Sequence, residues 1–201
     1  NGAATTVSPG ETLYSNADAA VATSGAGKVF IQTLLPVAHN IRKVGGRGAK
    51  SFWAFDANYD WHWAENEAQP RPINDFETTP YGEWRLELEP ADNALEHNFL
   101  TVLYPTGSDT AAMPATTLIT GTGIAGAHIA DPALNRVAIF SAANDGAAPT
   151  GTLIYSYRPT ARTHHFLCDL TPGARYRLSQ SLTAGVQTVT LTPDANGTYQ
   201  S

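Results

Sequence analysis

The chain has 201 residues, of which 42% are hydrophobic and 15% charged, with a formal net charge of −6. That apolar share can fill a core, which excludes a disordered chain. The acidic balance excludes nucleic acid as a partner, because phosphates call for a basic field, and no apolar run has bilayer-spanning length, so no membrane partner is expected.

Scarce charge with abundant Gly, Pro and Thr favours short strands and polar turns, and no 3.6-residue periodicity is sustained anywhere. Residues 1–27 are small and polar, with a turn at Pro9-Gly10, and read as an entry segment holding one weak strand at most. Residues 29–35 form a strand that stops at Pro36. A short strand over 40–44 runs into Gly45-Gly46, and an aromatic strand follows over 51–55. Residues 64–80, polar and carrying Pro70, Pro72 and Pro80, read as a long loop. Residues 83–89 alternate cleanly: Trp84, Leu86 and Leu88 on one face, Arg85, Glu87 and Glu89 on the other, with Pro90 as the stop.

Residues 97–104 are nearly continuously apolar, which predicts a central strand covered on both faces and closed by Pro105-Thr106-Gly107. Strands are further predicted over 117–120, 124–130, 136–142, 153–158, 163–170, 176–181 and 186–192. Turn signals such as Asp131-Pro132, Pro172-Gly173 and Ala184-Gly185 separate them. This spacing predicts an all-β fold, a two-sheet antiparallel β-sandwich without a long helix, forming one domain over 1–201. The expected core is Trp84, Leu86, Leu88, Phe99, Leu100, Val102, Val137, Ile139, Leu153 and Tyr155. Cys168 stands alone in an apolar run and reads as a buried thiol with no disulfide partner.

Three segments carry a family resemblance. The first is Gln32-Thr33-Leu34-Leu35-Pro36 with Lys43-Val44-Gly45-Gly46 and Ser51-Phe52-Trp53. The second is Gly82-Glu83-Trp84-Arg85-Leu86-Glu87-Leu88-Glu89-Pro90 with Phe99-Leu100-Thr101-Val102-Leu103, and the third is Leu170-Thr171-Pro172-Gly173-Ala174-Arg175-Tyr176. In order and spacing they resemble the C-terminal β-domain of the heparinase II/III-like polysaccharide lyases over residues 28–181. In that family an α/α-toroid precedes the β-domains, and the tyrosine and histidines of β-elimination come mainly from the toroid and the start of the β-region. The resemblance therefore implies an accessory domain of a larger bacterial enzyme, secreted or periplasmic. Its implied partners are an acidic polysaccharide and a catalytic α/α-toroid domain or chain. The family's histidine before the Leu-Leu-Pro motif is Gln32 here, so no catalytic residue is carried over and none is assigned. The low lysine count, three in all, also resembles secreted carbohydrate-active proteins.

Several residues could carry sugar chemistry. Trp53, Tyr59, Trp61 and Trp63 lie within eleven residues, with Asp60 and His62 among them. Sugar rings stack their C–H faces on aromatic side chains and offer hydroxyls to carboxylates and imidazoles. Tyr59, Trp61, His62 and Trp63 are thus candidate substrate contacts, and Trp61 and Trp63 share a face if they lie on a strand. Packing and loop anchoring would explain the same residues without a ligand.

Arg42, Lys43, Arg47 and Lys50 put four of the 12 cations into nine residues. Arg42 and Arg47 suit a uronate or sulfate, which a guanidinium grips as a fork, while a solvated turn is the plainer account. Asp56, Asn58, Asp60 and Glu67 match positions 1, 3, 5 and 12 of a calcium loop, but Trp61 stands at position 6, where the sharp turn needs glycine. Calcium is accordingly a weak expectation and no other cofactor is expected. His164 and His165 should face opposite ways on a strand, and His39, His62, His97 and His128 read as structural. Two alternatives stay open: an autonomous carbohydrate-binding module, and a self-contained lyase using Tyr59, Tyr81 and His62.

Overall fold

A computed structural model describes residues 3–8, 10–45, 53–55, 61–63, 84–143 and 145–200. Among them there are strands and no helix, so the chain is all-β as its composition and turn spacing lead one to expect. The residues divide into two compact units, one of Asn1–Asp18 with Ala38–Leu95 and the other of Ala19–Val37 with Glu96–Ser201.

In the first unit, numbering strands along the chain, β1 (Ala3–Ser8), β2 (Glu11–Ser15), β5 (His39–Gly45) and β8 (Trp84–Pro90) form one antiparallel sheet in that order. A separate hairpin pairs β6 (Trp53–Phe55) with β7 (Trp61–Trp63). Gly10 turns β1 into β2 at φ 77°, a left-handed conformation open to glycine without strain. The entry segment is thus more structured than expected. Residues 1–27 contain β1, β2 and β3 (Ala19–Ser24); β1 and β3 are built mainly from Ala, Thr, Val and Ser, whose small side chains give little hydrophobic contrast.

The alternation predicted for β8 is present, but the more exposed face is the opposite one. Trp84 is 49% and Leu86 41% exposed, whereas Arg85, Glu87 and Glu89 are half-buried. The reason lies on the neighbouring strand: Arg42 of β5 pairs in register with Glu87 and collects carboxylates on that face. Ile41 and Val44 of β5 are buried.

The second unit holds three sheets. One is β3, β4 (Gly27–Leu35) and β9 (Leu100–Gly107). The second runs β10 (Ala115–Gly121), β11 (Ile124–Ala130), β12 (Asn135–Ser141) and β14 (Thr163–Leu167), with β12 and β14 parallel. The third runs β13 (Leu153–Tyr157), β16 (Val186–Pro193), β15 (Arg175–Thr183) and β17 (Tyr199–Gln200). The last two sheets supply the core and so make the sandwich. Ile119, Ile124, Val137 and Ile139 come from one, and Leu153, Tyr155, Val189 and Leu191 from the other. Each such aliphatic side chain removed from water stabilises the fold by about 1.5–3 kcal/mol.

Of the residues expected inside, Val102, Val137, Ile139, Leu153 and Tyr155 are buried, Leu88 and Leu100 are half-buried, and Trp84, Leu86 and Phe99 are exposed. β9 also departs from expectation. It is an edge strand, with Leu103 exposed, and it continues through Pro105 opposite Val29. An edge tolerates proline because the missing N–H would only have faced solvent.

Candidate functional site

In the first unit, one face of the β1–β2–β5–β8 sheet is ionic. Arg42 donates from Nε and Nη2 to the two oxygens of Glu89, the second bond being 3.1 Å, and from Nη1 to Glu11. The buried Glu11 carboxylate also accepts from Ser8 Oγ at 2.9 Å. Beside it Arg85 Nε donates to Glu87 at 2.6 Å. Hydrogen bonds to Glu89 raise the Arg42 pKa; burial works against this, and Glu11 adds to it. The guanidinium fork that would grip a uronate is therefore closed on Glu89, within the protein's own sheet.

The other face carries a different chemistry. Lys43, next in sequence to Arg42, emerges on the face of Trp84 and Leu86, since Lys43 pairs with Leu86 and Gly45 with Trp84. Its ammonium lies 3.9 Å from the centre of the indole ring. A half-exposed tryptophan and a cation thus occupy one spot, each within reach of the same ligand. The sequence placed Lys43 in a basic cluster and Trp84 in the core; only strand pairing across some forty intervening residues joins them.

The β6–β7 hairpin bears on the aromatic candidates. Trp53 pairs with Trp63, Ala54 with His62, and Phe55 with Trp61. Arg47, Tyr59 and the calcium-like set Asp56, Asn58, Asp60 and Glu67 lie outside the described residues. Among the described residues no three His, Cys, Asp or Glu side chains converge as metal ligands.

The second unit contains a histidine–tyrosine cluster between the two sandwich sheets. His165 of β14 meets Tyr155 Oη through Nδ1 at 2.8 Å and Tyr157 Oη through Nε2 at 3.1 Å, both tyrosines on β13. A neutral imidazole has one N–H and one bare nitrogen, so one phenol accepts and the other donates. His128 of β11 packs its ring 5.0 Å from that of Tyr157 and donates from Nε2 to Asn135 Oδ1 at 2.8 Å. Asn135 Oδ1 also accepts from the Thr160 amide, and Asn135 Nδ2 donates to the Asp131 carbonyl, which leaves this buried amide satisfied.

His164 is exposed and His165 half-buried, so the adjacent pair does face opposite ways. Burial pushes the Tyr155 hydroxyl well above its ordinary range, and burial first, then His128 and His164, push His165 down. A catalytic tyrosine base would need the reverse shift. The cluster therefore reads as a clasp between sheets. The legible signal for it was Tyr155-Ser156-Tyr157, two phenols on one face of a strand.

No protein-family model matches the chain, and no curated protein is significantly similar to it.

Proposed function

We propose that this chain is an accessory β-sandwich domain of an extracellular polysaccharide lyase, resembling the heparinase II/III group, and that its first unit contacts an acidic glycan. The observation that carries this reading is the Lys43 ammonium 3.9 Å from the half-exposed Trp84 ring. An indole offers a flat apolar surface to the C–H face of a sugar, and an ammonium attracts the carboxylate of a uronate. The aromatic run Trp61-His62-Trp63, strand β7 of the same unit, offers further residues of the type that stacks on sugar rings. Arg42 then serves as scaffold, and the charge that meets polymer comes from Lys43, with Arg47 as a second donor.

Binding to alginate and to a glycosaminoglycan tests this for the parent protein, Trp84→Ala, Trp61→Ala and Lys43→Met at low and high salt. The tryptophan variants should lose affinity at both ionic strengths, because stacking is not screened. Lys43→Met should lose it mainly at low salt. Equal binding by all four proteins, or none by the parent, overturns the reading. The domain alone should release no unsaturated uronate from either polymer; absorbance from that product would make it a self-contained lyase.

A further inference from the structure

The second unit has an uncharged groove, independent of the surface just described. Ala125 and Phe140, paired on the face of the β10–β11–β12–β14 sheet turned away from the core, line it together with Phe99, just before β9. The His97 ring meets Phe99 edge-on at 6.4 Å and 65°. Phe99 is 56% and Phe140 37% exposed. The groove is open to solvent, encloses about 320 Å³, and also has Leu35, Leu100 and Thr101 in its lining. Asn98 donates from Nδ2 to the Ala142 carbonyl at 3.2 Å, which fixes the amide and leaves its Oδ1 to accept from a hydroxyl.

Among the described residues no ionised side chain lines this groove. A uronate, sulfate or phosphate would enter without a counter-charge, at a desolvation cost nothing here offsets. Two phenyl rings and a fixed amide oxygen instead suit a ligand with apolar C–H faces and a rim of hydroxyls. The volume lies at the lower end of small-ligand sites, which are roughly 300–1,000 Å³, so it accommodates one ring and not a stretch of polymer. We infer that the Phe99–Phe140 groove binds a single pyranose ring of an uncharged glycan, such as a neutral chain end or branch.

Calorimetric titration of the whole protein with cellohexaose, mannohexaose and xylohexaose tests the inference. At least one should bind, with affinity unchanged between low and high salt. Phe140→Ala and Phe99→Ala should each weaken it by about tenfold, the loss of roughly 1.4 kcal/mol of stacking. Phe99 is more than half exposed, so its truncation should leave the unfolding midpoint nearly unchanged, whereas Phe140, 37% exposed, gives up more packing. Asn98→Ala, which leaves the rings in place, should weaken binding several-fold and serves if a ring variant unfolds. Trp84→Ala should leave neutral binding intact, and Phe140→Ala should leave alginate binding intact, so the two surfaces fail separately. Absence of binding by all three oligosaccharides at millimolar concentration overturns the inference, as does parental affinity in both phenylalanine variants.

Discussion

The Tyr155 hydroxyl lies 2.8 Å from Nδ1 of His165, joining a strand of one sandwich sheet to a strand of the facing sheet. The bond has a direction in pH. The neutral ring, with one donor and one acceptor, suits two phenols; a doubly protonated ring makes both phenols acceptors and leaves their own hydrogens without His165 as acceptor. Burial, then the neighbouring His128 and His164, depress the His165 pKa. An unfolded histidine titrates near about 6.5, so below that pH the unfolded chain binds the extra proton first. The stabilisation is therefore complete above about pH 6.5 and is lost as pH falls through the lower folded value. Denaturant midpoints from pH 7.5 to 5 should fall in the parent and change less in His165→Gln. Parallel slopes would show that another group dominates. Asp131 and Asp194 are depressed too, each chiefly by a backbone N–H (from Ala133 and Asn196), but they lose their stabilisation only below the ordinary carboxylate pKa, near about 3.9.

Arg42 gathers Glu89 and the buried Glu11 on one face of the first unit's sheet. Removing the cation strands Glu11 in a covered site beside Glu87 and Glu89. Arg42→Ala should cost about 2–4 kcal/mol, near the value for breaking a covered ion pair, while Arg42→Ala with Glu11→Gln should recover part of that loss. A double variant as unstable as the single one would mean that Glu11 contributes nothing to the penalty. Urea unfolding followed by tryptophan fluorescence reads this unit, because all four tryptophans lie in it.

Leu86 and Leu191 look alike in sequence, each a leucine in an alternating strand, yet Leu86 is 41% exposed and Leu191 only 2%. Leu191→Ala should cost about 2–5 kcal/mol, because it opens a cavity between packed sheets. Leu86→Ala should stay within about 1 kcal/mol. Similar losses at both positions would mean that some partner covers Leu86 in solution.

The contrast shows where pattern reading stops. Alternation over residues 83–89 identified a strand, and the strand is there as β8. It could not identify the covered face, because Arg42 comes from a strand some forty residues earlier and turns three glutamates into acceptable neighbours. In β3, Ala-Ala-Val-Ala-Thr-Ser offers almost no contrast between faces, so its edge position left no signal. Pro105, read as the stop of a central strand, is instead a residue that β9 runs through, which only an edge strand allows, and β9 is one. Of the second unit's cluster, the opposite facing of His164 and His165 was legible from their adjacency on a strand. The Trp84–Lys43 contact, the histidine–tyrosine clasp and the Phe99–Phe140 groove depend on strand partners, which periodicity cannot supply.

Gly126 tests the sandwich from its backbone. It sits mid-strand in β11 opposite Ile139, where glycine ordinarily weakens a strand. A Cβ built there would lie 2.2 Å from the Ala138 carbonyl oxygen and 2.7 Å from the Ile139 Cδ1. The methyl group of isoleucine can turn aside, but the carbonyl belongs to the ladder between β11 and β12 and can move only with the strand. Gly126→Ala should therefore destabilise by about 1–3 kcal/mol, the usual penalty for overpacking, despite alanine's lower chain entropy when unfolded. Gly25 is the control for backbone strain without crowding: its φ is 54°, with nothing within 4 Å of a built Cβ, so Gly25→Ala should cost only the left-handed conformation, about 1 kcal/mol. Combining Gly126→Ala with Ile139→Val would remove the crowding methyl group but not the carbonyl. Substantial recovery in that double variant would place the conflict in the side chain, whereas little or none locates it in the strand pairing. Denaturant midpoints for the three variants decide between them, and parental stability in Gly126→Ala would show that β11 and β12 lie farther apart than this register requires.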